Sequence, residues 1–163
     1  MWWQPELRAW RGRLHSGPGP GMEVHAGGFL RRREIVLDQA LQHDGAELAR
    51  ILVHELFHFV WLRLGNRRRR DWELVLLGEF ARRARGELGW SAEWRKLRLT
   101  SADVAGRSRR WREYACESFC DTAAWVWAVD DGHPEFTLKP RFQLARRRWL
   151  HTLACHEREG FRV

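Results

Sequence analysis

The sequence predicts a mostly helical α+β domain with a small N-terminal sheet and one central, buried helix. Three observations predict it. Glycine-bounded strand runs lie before residue 40, and five segments with helix start or stop signals follow. The length of 163 residues suits one domain, which buries roughly two thirds of the surface its unfolded chain exposes.

The elements follow in chain order. Residues 1–21 read as a short N-terminal segment closed by the glycine and proline loop "SGPGPG". "MEVHA" and "FLRRREIVLD" read as two short strands around Gly27 and Gly28, the second centred on Ile35, Val36 and Leu37. Asp44 then opens "DGAELARILVHELFHFVWLRLG": an N-cap aspartate, Glu47 three residues on and Gly65 at the far end mark a helix. Its apolar residues run around much of the circumference, so it is expected to be buried. Asp71 is expected to cap a second helix through "WELVLLGEFARRAR" up to Gly86, and Ser91 a short third one through "AEWRKLR". The fourth covers "RRWREYACESFCDTAAWVWAV" until "DDGHPE", and the fifth follows Pro140 through "RFQLARRRWLHTLACHERE". No internal repeat or long linker divides residues 1–163.

Eleven Trp and eight Phe point to a core built from large rings, with some rings left to line a groove. The net charge of +8 comes mainly from arginine, in runs at 31–33 and 67–70. Such a surface is either a solvated face or an attractor of nucleic acid, acidic proteins or anionic membrane, and no nucleic-acid motif accompanies it. Cys116, Cys120 and Cys155 form no disulfide framework, which suits a reducing compartment. Cys116 and Cys120, four apart on one helix, read as buried small residues, with zinc binding as the alternative. No apolar run is long enough to span a bilayer, and "MWWQPELRAWRGRL" lacks a signal-peptide core, so the expected address is the cytoplasm.

The chemistry concentrates in "LVHELFHFVW". On a helix, His54 and His58 lie one turn apart on one face and can direct both imidazoles at one point, with Glu55 beside it. Two histidines in that geometry hold Zn²⁺, and the adjacent glutamate serves as general base. An unpaired His-Glu-His set in so apolar a helix would cost several kcal/mol to desolvate, roughly, and a metal removes that cost. A catalytic zinc needs a third ligand, and "FVWLRLG" after the motif supplies none. On the fourth helix Glu117 can ligate, while Asp121 accepts a hydrogen bond from the outer nitrogen of a ligating imidazole. Glu113, one turn earlier, is the alternative ligand; Glu117 is preferred because an acid follows it at the right spacing. His133, His151, His156 and Cys155 are further candidates, more simply read as surface groups, and Tyr114 is a candidate oxyanion donor.

HExxH at His54–His58 followed by Glu117-Ser-Phe-Cys-Asp121 resembles the HExxH plus ExxxD pattern of the gluzincin metallopeptidases. "ESFCDTAAW" is also similar to the third-ligand helix of short ImmA/IrrE-type peptidases. The resemblance spans about half the chain, from Ile35 through Trp125. It implies a zincin-like fold, zinc at His54, His58 and Glu117, general-base catalysis by Glu55, an orienting role for Asp121, and a peptide or protein substrate. It also implies that "REIVLD" is the strand along whose edge an extended peptide lies. The chain departs from the large gluzincins in its shortness and in having no distinct downstream His or Tyr to stabilise an oxyanion. The expected function is zinc-dependent peptide hydrolysis. The alternatives are a catalytically inactive zincin-fold or helical module that binds nucleic acid or an acidic protein through its arginines, and a helical domain without metal.

Overall fold

The computed structural model describes residues 1–128, 132–156, 160 and 161. The expected α+β, mostly helical architecture is present: among the described residues six α-helices accompany two three-stranded sheets. In the first sheet β6 (Glu34–Asp38) lies between β1 (Trp2–Gln4), which is parallel to it, and β5 (Ala26–Phe29), which is antiparallel. Ile35, Val36 and Leu37 are all buried, as suits a central strand covered on both faces. The second sheet joins β2 (Leu7–Trp10), β3 (Arg13–Ser16) and β4 (Met22–Glu23). Asp38 ties the sheets together: one carboxylate oxygen accepts from the Leu7 N–H at 2.7 Å, the other from the Ala40 N–H at 2.8 Å.

Three expectations for this third of the chain need correction. Residues 1–21 contain three strands; the turn between the first two places Glu6 in the left-handed region without a glycine, and the next turn places both Arg11 and Gly12 there. Gly27 and Gly28 lie inside β5 rather than between strands; the turn to β6 passes through residues 30–33, with Arg33 at φ 57°. "REIVLD" is not an edge, because β6 is paired on both sides, and β5 takes the outer position.

After a 3₁₀ turn (Gln39–His43), helix α1 (Gly45–Arg63) starts where the sequence places it, with the Asp44 carboxylate accepting from the Glu47 N–H at 3.0 Å. Helix α2 (Asn66–Ala81) begins five residues before the expected Asp71 cap and stops short of Gly86. The arginine run is therefore helical. Arg69 folds back to donate to the carbonyls of Trp61 and Leu62, satisfying two acceptors at the end of α1. Helix α3 (Trp90–Lys96) starts at Gly89, not at a Ser91 cap. A short α4 (Ser101–Ala105), not anticipated, is fixed by a capping box between Thr100 and Asp103. Helix α5 (Arg109–Trp127) and α6 (Pro140–His156) match expectation, although the last residues assigned to α6 and the aspartates of "DDGHPE" lie outside the described residues.

Helix α5 is the spine. It packs along α1 and contacts α2, α3, α4 and α6. The main core gathers fully buried Trp72, Trp111, Tyr114 and Phe119, and the indole N–H groups of Trp72 and Trp111 donate to the Ala115 carbonyl and the Glu73 carboxylate. At its edge Arg146 is completely buried, holding Glu79 through two bonds of 2.8 and 2.6 Å and Glu87 through bonds of 2.6 and 3.1 Å. Among the described residues no helix is long and apolar enough to cross a membrane.

Candidate metal centre

The apolar face that packs α1 along α5 carries Phe57, Val60 and Trp61 into the core and leaves the next stripe, His54 and His58, at the rim of a cleft. The two imidazoles stand one turn apart with Nε2 atoms 3.2 Å from each other. Glu117 of α5 completes the group: its Oε2 is 3.4 Å from His54 Nε2 and 3.8 Å from His58 Nε2. A triangle with these edges has a point about 2.0 Å from every corner, the usual length of a zinc–nitrogen or zinc–carboxylate bond. Two imidazoles and a carboxylate are also a donor set that catalytic zinc takes. The residues therefore fit the ion.

Electrostatics agree with the geometry. Burial pulls the His54 imidazolium down, but the Asp121 and Glu117 carboxylates outweigh it and hold His54 well above its ordinary value. Burial pushes Glu117 up, yet the two imidazoles and Arg95 bring it down to about 2. The pocket thus favours positive charge between these side chains, and a cation satisfies that demand as a shared proton does.

The groups that support these three side chains come from two helices, α3 and α5. Asp121 Oδ1 lies 2.7 Å from His54 Nδ1, while Oδ2 accepts from the Ala92 N–H at 3.0 Å in the first turn of α3. One carboxylate thus turns the His54 ring and anchors α3. Gly89 makes this possible, since a Cβ there would sit 2.3 Å from Asp121 Cγ. Arg95 holds the second oxygen of Glu117 at 2.9 Å. His58 Nδ1 faces Cys116 Sγ at 3.5 Å. Hydrogen bonding from Cys120 brings the Cys116 thiol down to about 6, with burial opposing and His58 assisting; burial drives Cys120 well up. The sequence singles out Asp121 but gives no sign of Arg95 or of Cys116 as a partner of His58, because both contacts depend on how α3 and α5 dock.

Glu55 is nearly buried and lines the same cleft as His54, His58, Glu117, Gly28, Leu30 and Ser91. It reaches the backbone of β5: a Cβ on Gly28 would come within 2.8 Å of Glu55 Oε2. Beyond it a cavity of about 380 Å³ opens, with Ala26, Ile51, Arg50 and Trp90 among its walls.

The remaining candidates sit elsewhere. Glu113 is exposed and pairs with Arg109 at 2.7 Å, outside the His54–His58–Glu117 group. Tyr114 is fully buried and donates to Glu87 at 2.6 Å, so it faces the core network rather than the cleft. His133 lies 3.4 Å from Glu47; His151, His156 and Cys155 are exposed. Of the arginine runs, residues 31–33 are exposed, while Arg69 is spent on the end of α1. No family model matches the chain, and neither the curated proteins nor the solved structures compared with it provide a match.

Proposed function

We propose that the protein is a zinc-dependent metallopeptidase. The observation that carries this reading is the convergence of His54, His58 and Glu117 to mutual distances of 3.2, 3.4 and 3.8 Å with Glu55 beside them in an open cleft. Zinc bound there would supply Lewis acidity, acidifying a water and polarising a carbonyl. Asp121 keeps the His54 ring turned so that Nε2 faces the centre, and Arg95 fixes the orientation of Glu117. Glu55 acts as the general base: it takes a proton from the attacking water and returns it to the leaving amine. Its small remaining exposure limits competition from bulk solvent for that proton.

The substrate is an extended peptide or protein segment. β5 is the outer strand of its sheet and runs beside Glu55, so a peptide added along its free edge would pass the general base while bonding main chain to main chain. Gly28 makes room for the Glu55 carboxylate against β5 by omitting a side chain. The test is Glu55→Gln, an isosteric change that removes the base and none of the ligands. Cleavage of a fluorogenic peptide library should fall by at least ~100-fold while bound zinc stays at the wild-type level. Unchanged turnover, or loss of zinc with Glu55→Gln, contradicts the proposed role.

A further inference from the structure

His58 uses only one ring nitrogen toward His54 and Glu117. Its other nitrogen points away from the cleft, toward two cysteines of α5. Cys116 and Cys120 stand one turn apart, and donor atoms of His58, Cys116 and Cys120 all lie within 4.8 Å of one another. We propose that these three residues form a second metal site, specific for a soft divalent cation of the zinc and cadmium class.

The geometry suits such an ion. A nitrogen and a sulfur bound tetrahedrally to one zinc at the usual lengths stand about 3.6 Å apart; His58 Nδ1 and Cys116 Sγ stand 3.5 Å apart. Charge suits it too. Cys120 is fully buried in the main core and Cys116 packs against that core, where an uncompensated charge is costly. Two thiolates and one neutral imidazole around a divalent ion make a unit with no net charge, whereas a monovalent ion would leave one negative charge in apolar surroundings. Soft sulfur donors select against magnesium and calcium. Binding requires both sulfurs as thiolates, and any thiol proton still present passes to solvent; if Nε2 of His58 is engaged at the same time, the Nδ1 proton leaves as well and the ring would bridge two ions. The site uses neither His54 nor Glu117, so it stands whether or not the cleft is a peptidase centre.

The probe is cadmium, added to the metal-free, reduced protein, with sulfur-to-cadmium charge-transfer absorption in the near ultraviolet as the readout. The band should appear in the wild type, in Cys155→Ser and in the His54→Ala/Glu117→Ala double variant. It should be lost in Cys116→Ser/Cys120→Ala. A band that survives the loss of both cysteines, or that disappears with His54 and Glu117, overturns the proposal. Wild-type protein gives a second measurement that needs no folded variant: cadmium should protect Cys116 from alkylation while exposed Cys155 is modified at its usual rate. Equal modification of Cys116 with and without cadmium also overturns it.

Discussion

Asp121→Asn probes the centre with the least change in shape. The carboxylate serves two donors at once, the His54 ring at 2.7 Å and the Ala92 N–H at 3.0 Å. An asparagine of the same size has one acceptor oxygen and must abandon one of them. If it keeps Ala92, its NH₂ faces His54 Nδ1 and favours the tautomer with the proton on Nε2, the nitrogen needed for metal. If it keeps His54, the buried Ala92 N–H loses its acceptor, a cost of about 1–3 kcal/mol in stability. Losing an orienting partner of this kind weakens metal binding about 10–100-fold, or roughly 1.4–2.7 kcal/mol. Competition against a chromophoric zinc chelator measures the first effect and urea unfolding followed by tryptophan fluorescence the second. Gly89→Ala should weaken zinc in the same direction without touching a ligand, since its Cβ would collide with Asp121. Zinc affinity within twofold of wild type together with an unchanged urea midpoint in Asp121→Asn would refute the reasoning.

Other outcomes follow from the same contacts. Glu117→Ala should abolish tight zinc binding at the cleft whereas Glu113→Ala, whose carboxylate is exposed on Arg109, should leave it unchanged in the chelator assay. Arg146→Met strands Glu79 in the interior, leaves Glu87 to Lys96 and Tyr114 alone, and should cost about 3–5 kcal/mol in urea unfolding, a large share of the roughly 5–15 kcal/mol that holds a typical domain. Hydrogen bonds from Ser108 and Thr100 hold Asp103 down at about 2, and Arg146, against the opposing effect of burial, keeps Glu87 below its ordinary range. Both folded values are depressed, so their stabilisation is complete above the ordinary carboxylate range and is lost as pH falls through the folded values. The urea midpoint should therefore decline below pH 4 and continue to decline toward pH 2; a flat midpoint across that interval contradicts the assignment.

What the sequence disclosed was local. The Asp44 cap, the four-residue spacing of His54 and His58 and that of Glu117 and Asp121 are written within single helices, so α1, α5 and the faces that carry the candidate ligands were legible. What it concealed depends on distant partners. β1 pairs with β6 across more than thirty residues, and the turn at Glu6 adopts a left-handed conformation without glycine. The start of α2 was hidden because a run of arginines reads as solvated surface until Arg69 finds the carbonyls of Trp61 and Leu62. Glu113 and Glu117 share a helix face; which one reaches the imidazoles is decided by the docking of α5 on α1. Docking likewise brings Arg95 to Glu117 and Cys116 to His58, contacts with no signature in residue spacing.

The central claim is one ion held jointly by His54, His58 and Glu117. Crystals of zinc-loaded protein, measured at the zinc absorption edge, test it most directly. The account predicts an anomalous peak within bonding distance of Nε2 of both histidines and of the Glu117 carboxylate, with Asp121 still on His54 Nδ1. A map with no peak between these three side chains, or one in which Glu117 turns away from the ion, contradicts it.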